Sequence, residues 1–135
     1  MTKPQDTSIT RLFIVTAVLE LGAGLTLLVA PAVVVRVLFG PDAELFPTVG
    51  IARLAGAALL SLGAACWWAR HAIRGVASRA LVGAMLIYNV AVVALAIVGA
   101  LGALGLPQWT AVALHTIQAI WCAWIMAGNT TTIAA

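Results

Sequence analysis

Three ionisable side chains of different kinds stand inside apolar runs of this sequence: the carboxylate of Glu20, the guanidinium of Arg53 and the imidazole of His115. A charge in hydrocarbon is expensive, so such residues face protein or water and mark a functional site by default. A carboxylate held in a low dielectric beside a guanidinium can be tuned as a general acid or base, with an imidazole as the complementary proton carrier. Glu20, Arg53 and His115 are therefore the catalytic candidates. Tyr88, Asn89, Gln118 and Trp121 are the substrate-binding candidates, able to hold a carbonyl, epoxide or hydroxyl oxygen on an otherwise greasy molecule. The chemistry this set suits is proton transfer, ring opening or isomerisation of a lipophilic substrate entering from the bilayer.

A structural account competes with this one. Glu20 and Arg53 can pair, with Asn89, Gln118 and His115 satisfying the remaining donors and acceptors, because buried charges need partners and polar side chains bridge helices in membranes. That account suffices for any one residue. It weakens for the set, since a purely structural bundle of this size has no need of a carboxylate, a guanidinium, an imidazole and two amides together. Other chemistries find less support. Metal chemistry lacks paired histidine and carboxylate ligands, haem would rest on His115 alone, and no phosphate-cradling motif occurs, so no cofactor is expected. Cys66 and Cys122 fall inside apolar spans without metal-like or redox spacing and read as small buried hydrophobes.

The elements that position these residues follow from composition. The chain is 64% hydrophobic and 8% charged over 135 residues, where a soluble domain carries roughly 25% charged residues. Its solvent is therefore lipid, and its length allows one domain. A spanning helix needs about 20 mostly apolar residues. Four such runs are present, at about 9–29, 48–69, 80–101 and 109–126. The first is too long for a cleaved signal and contains Glu20, so it is expected to stay as a helix, capped by Ser8 or Thr10 after a mobile polar tail over 1–8. Pro31, Pro41 and Pro47 with Gly40 forbid one long helix over 31–47. That piece is expected to form a short interfacial segment, either an ordinary connector or a gate, with Arg36, Asp42 and Glu44 among the headgroups. Ala52, Ala55, Gly56, Ala57 and Ala58 give the second span a small face for close packing. Trp67 and Trp68, with Arg70, His71, Arg74 and Arg79 after them, form a membrane-anchor pattern.

Four spans put both termini on one side. That side collects Lys3, Arg11, Arg70, Arg74 and Arg79, whereas the other has Arg36 diluted by Asp42 and Glu44. The bias predicts cytoplasmic termini in the bacterial inner membrane, and it sets aside the Asn129-Thr130-Thr131 sequon. The basic residues form no run with interleaved aromatics, so nucleic acid is not an expected partner. Counted along the helices at about 1.5 Å per residue, Arg53, His115, Gln118 and Glu20 fall in one layer of the outer half, with Tyr88 and Asn89 near the midplane. His115, Gln118 and Cys122, spaced i, i+3 and i+7, share one helix face.

Two resemblances add to this. Leu19-Glu20 with Gly24 and Leu27-Leu28 resembles the first helix of the small multidrug resistance family, where a membrane glutamate couples protons to cationic drugs; it implies a proton-coupled transporter. Over most of the chain, Pro31-Ala32-Val33, Leu38-Phe39-Gly40, Ala52-Arg53-Leu54-Ala55-Gly56-Ala57, Leu62-Gly63 and Trp68-Ala69-Arg70 resemble small four-helix bacterial membrane proteins of the DoxX-like kind. That resemblance implies a compact four-helix bundle with an arginine near the start of the second span.

The sequence thus predicts an all-α integral membrane protein, an up-down bundle of four transmembrane helices with a short interfacial segment between the first two. Its polar pocket is expected to bind a small lipophilic molecule, with acid/base catalysis of isomerase, epoxide hydrolase or cyclase type using Glu20 with Arg53. The alternatives are a proton-coupled transporter and an accessory subunit of a larger membrane complex. Membrane lipid is an expected partner, and a homo-oligomer is open.

Overall fold

In a computed structural model, described over residues 4–72, 75–99 and 105–128, the chain is helical. Helix α1 runs Pro4–Val29, α2 Pro31–Phe39, α3 Thr48–Ala69, α4 Val76–Gly99 and α5 Leu106–Gly128. Four are long and apolar enough to cross a membrane. The shortest of them, α3, has 22 residues, about 33 Å at 1.5 Å per residue, against a hydrocarbon core of about 30 Å.

Proline and glycine set the boundaries. The described part of α1 begins at Pro4. Asp6 in the first turn suits the positive end of the helix dipole. Residues 4–8 are therefore helix rather than tail, and Ser8 and Thr10 lie inside α1 rather than capping it. Thr10 donates its hydroxyl to the Asp6 carbonyl at 3.1 Å. Pro31 stops α1 by disfavouring helical backbone at Ala30, then serves as the first residue of α2. Gly40 closes α2 with φ of 97°, a conformation glycine alone adopts readily. A turn follows, with a cis bond at Phe46–Pro47, and α3 starts at Thr48. The sequon at Asn129, and with it Lys3, Arg74 and residues 100–104 between α4 and α5, lie outside the described residues.

The core is largely apolar, as in a soluble protein, but the outside is apolar as well and buried polar residues stand among the core. Leu54, Ile87 and Leu95 are all more than 70% exposed, whereas Glu20, Asn89 and Gln118 are less than 5% exposed. Apolar side chains turned outward around polar ones turned inward cost far too much in water and are the expected arrangement in lipid. The chain is an integral membrane protein by this criterion.

The helices divide into two compact units. One holds residues 13–70. Here α1 and α3 pass at backbone contact: a Cβ placed on Gly56 would lie 2.8 Å from the Gly24 carbonyl oxygen, and one on Gly63 would lie 2.8 Å from Leu21. The later residue of α1 meets the earlier residue of α3, so the two are antiparallel. Small residues permit this approach, and α2 lies against α3 with Pro31 and Val35 buried. The other unit holds the start of α1 with α4 and α5. Its buried side chains include Leu12, Val82, Met85, Cys122 and Ile125. Asn89 meets His115 while Gly83 faces Met126, so α4 and α5 are also antiparallel.

Candidate functional site

The unit built on α4 and α5 places a polar cluster at mid-span. Asn89 lies 13 residues into α4, about 20 Å from its start, and His115 nine residues into α5, about 14 Å from its start. Both are deep in hydrocarbon if the helices span.

The asparagine is held first. Its Nδ2 donates to the Met85 carbonyl one turn back, at 2.7 Å. Met85 O is already a helix acceptor with a second lone pair to offer, so this bond tethers the side chain against its own helix. The Asn89 Oδ1 then points across to α5, where His115 Nδ1 stands 2.7 Å away. An amide oxygen can only accept, so Nδ1 carries the proton and donates. Turning the amide over would set two oxygens against each other at Met85, so the backbone fixes the orientation. The Tyr88 ring meets the imidazole edge to face, with centroids 5.6 Å apart at 83°. Such a contact holds ring orientation through the aromatic quadrupole. His115 is half-buried, and Asn89 is 1% exposed.

The buried side of α5 continues this line. Val112, Gln118, Cys122 and Ile125 are buried and His115 half-buried, so the predicted sharing of one face by His115, Gln118 and Cys122 holds. Trp121 is engaged with the N-terminal part of α1: its indole Nε1 donates to Ser8 Oγ at 2.9 Å. That bond gives Trp121 a positioning part in this unit, and the sequence, which took Ser8 for a cap, offers no sign of it beyond the polar character of both ends.

Glu20 and Arg53 belong to the other unit. Glu20 is 3% exposed, on a stripe of α1 with the buried Phe13, Thr16, Ala17 and Gly24. Thr16, one turn before Glu20, is a buried polar residue that sequence reasoning passed over, though the i, i+4 spacing was there to find. Arg53 is on the exposed side of α3 and makes no hydrogen bond or ion pair among the described residues. The expected pairing with Glu20 is therefore absent. The reason is reach: Arg53 is five residues from the start of α3 at Thr48, about 7.5 Å along the axis, and a long side chain can carry its charge that far to the interface.

At the end of α3 the anchor pattern takes a definite form. The Arg70 guanidinium lies 3.8 Å over the Trp67 ring and donates to the Trp67 carbonyl, and Trp68 is exposed. Among the described residues no group of histidine, cysteine and carboxylate side chains is arranged to hold a metal ion. No family model, curated protein or solved structure matches the chain.

Proposed function

We propose that this protein binds a small lipophilic molecule within the membrane, at the polar cluster of Asn89, His115 and Tyr88, with His115 as its proton carrier. The observation that carries the reading is the 2.7 Å bond between Asn89 and His115 at mid-span. A histidine in lipid is costly, and this one is oriented by an amide that is itself tethered to the backbone. Orientation of an imidazole by a hydrogen bond on one nitrogen, with the other left for work, is how proton carriers are commonly set. Such a site suits acid/base chemistry of isomerase, hydrolase or cyclase type on an apolar substrate. Kinship with the DoxX-like proteins stays part of this proposal on the residue pattern around Arg53. The inner membrane with cytoplasmic termini is proposed on the basic residues Arg11, Arg70 and Arg79.

One observation favours a second reading. Glu20 is buried within a span, which is where a proton-coupled transporter would keep its exchanging carboxylate.

Native mass spectrometry of the protein released from mild detergent separates these. The expected result is a bound apolar small molecule, retained by Glu20→Gln and lost in His115→Phe. An empty protein, or one whose adduct is unchanged in His115→Phe, would refute the site. Adduct loss in Glu20→Gln together with an antiparallel pair would favour the transporter, and recovery only with other subunits would favour an accessory role.

A further inference from the structure

The hydrogen bonds at Asn89 do more than orient His115; they decide which nitrogen is left over. Asn89 Nδ2 is committed to the Met85 carbonyl, so only Oδ1 faces the imidazole. Oδ1 offers lone pairs and no proton. In the neutral ring the single N–H must then be on Nδ1, and Nε2 carries a bare lone pair. Among the described residues, that nitrogen makes no hydrogen bond. It belongs to a half-buried side chain in the middle of an apolar helix. An unsatisfied acceptor in hydrocarbon is unfavourable, and lipid tails cannot relieve it.

We infer that the occupant of this site is a lipophilic molecule bearing a hydroxyl group, an alcohol or a phenol, whose O–H donates to His115 Nε2. The inference rests on the proposed binding role and narrows it. Ketones, ethers and epoxides present acceptors only, so each would set a lone pair against a lone pair. The sequence left carbonyl, epoxide and hydroxyl open together; the Asn89 tether separates them. The same geometry gives the direction of proton movement. Nε2 accepts the hydroxyl proton and the ring becomes a cation still bonded through Nδ1–H to Oδ1, while the bound oxygen keeps the electron pair as an alkoxide or phenoxide. Asn89 is thus a positioning residue: it selects the tautomer and stays bonded through the transfer.

The test uses the whole chain in detergent micelles at a pH about two units above the usual imidazole value, so that the ring is neutral. The probes are 4-octylphenol and its methyl ether, 4-octylanisole, alike in shape but for the donor. His71→Gln removes the only other histidine, and nitrogen-15 NMR of His115 reports the tautomer. We expect the proton on Nδ1 and binding of the phenol about tenfold tighter than the ether, the worth of one net hydrogen bond. His115→Phe should reduce phenol binding to that of the ether. Asn89→Leu should leave both tautomers populated and shrink the preference, a change that mere loosening of the helices would not make selectively. A proton on Nε2, or an ether bound as tightly as the phenol, would overturn the hydroxyl inference. Saturable binding that His115→Phe still abolishes would, in that case, leave the site itself standing. If neither probe binds saturably, both readings fall.

Discussion

The crossing of α1 and α3 admits a quantitative test. A Cβ added at Gly56 would stand 2.8 Å from the Gly24 carbonyl oxygen and 2.9 Å from Leu27 Cβ; one added at Gly24 would stand 2.7 Å from the Gly56 carbonyl oxygen and 2.9 Å from Leu60 N. Ordinary contact begins at 3.4 Å, so the shortfalls from the two carbonyls are 0.6 and 0.7 Å (3.4 − 2.8 and 3.4 − 2.7). The obstructing atoms are mostly backbone and cannot rotate away. Relief requires the helices to separate, and overpacking of this kind costs about 1–3 kcal/mol. Gly22 provides the control, since nothing lies within 4 Å of a Cβ there. Gly22→Ala should gain the helix preference of alanine, up to about 1 kcal/mol. Gly56→Ala gains the same preference and pays the separation, so it should fall below Gly22→Ala by about 1–3 kcal/mol. Reversible unfolding in mixed micelles of mild detergent and SDS, followed by tryptophan fluorescence, reads this difference directly. One separation relieves both clashes, so Gly24→Ala with Gly56→Ala should cost less than the sum of the two singles. Equal midpoints for Gly22→Ala and Gly56→Ala would refute the close crossing, and strict additivity would refute its reciprocity.

Other consequences are open to simpler measurements. Ser8→Ala and Trp121→Phe should each lower stability by about 1 kcal/mol, with a double-mutant cycle showing a coupling of similar size; independent effects would mean that the indole donates elsewhere. Arg53→Leu should change the unfolding free energy by no more than about 0.5 kcal/mol, because the guanidinium has no partner among the described residues, and a loss of several kcal/mol would restore a buried pairing. Cys66 and Cys122 are both 0% exposed, so a membrane-permeant maleimide should leave the folded protein unmodified by mass and label both after SDS denaturation. Rapid labelling of either in the folded state would show that its helix face is open.

Much of this fold is legible in the sequence because lipid imposes a simple rule. An apolar run must be long enough to cross, and prolines and glycines mark where it stops. The span at 48–69 is read to the residue, since Pro47 precedes it and Trp67, Trp68 and Arg70 close it. The first described turn of α1 is missed for a local reason: the polar Gln5, Asp6, Thr7 and Ser8 read as tail. The candidate site is half legible. Depth can be counted along a helix: it puts His115 in the outer half and Asn89 near the midplane, and the two meet at 2.7 Å. Azimuth cannot be counted when a helix is apolar on every side, which is why Arg53 was expected inside and is found outside. The tether from Asn89 to Met85 follows the ordinary i−4 geometry of a polar side chain in a helix, yet its consequence for the histidine appears only when the neighbouring helix is in place.

The bond from Trp121 to Ser8 joins residues 113 positions apart. During synthesis the front of α1 enters the membrane long before its partner exists. Until α5 has been made and inserted, the Ser8 hydroxyl and the buried flank around it have no lasting home. Contacts of such long sequence separation form late, after the entropy of closing the chain has been met. A chain interrupted before α5 therefore leaves Ser8 without its Trp121 partner. Released chains truncated before Trp121 should accordingly be degraded faster than the full-length chain.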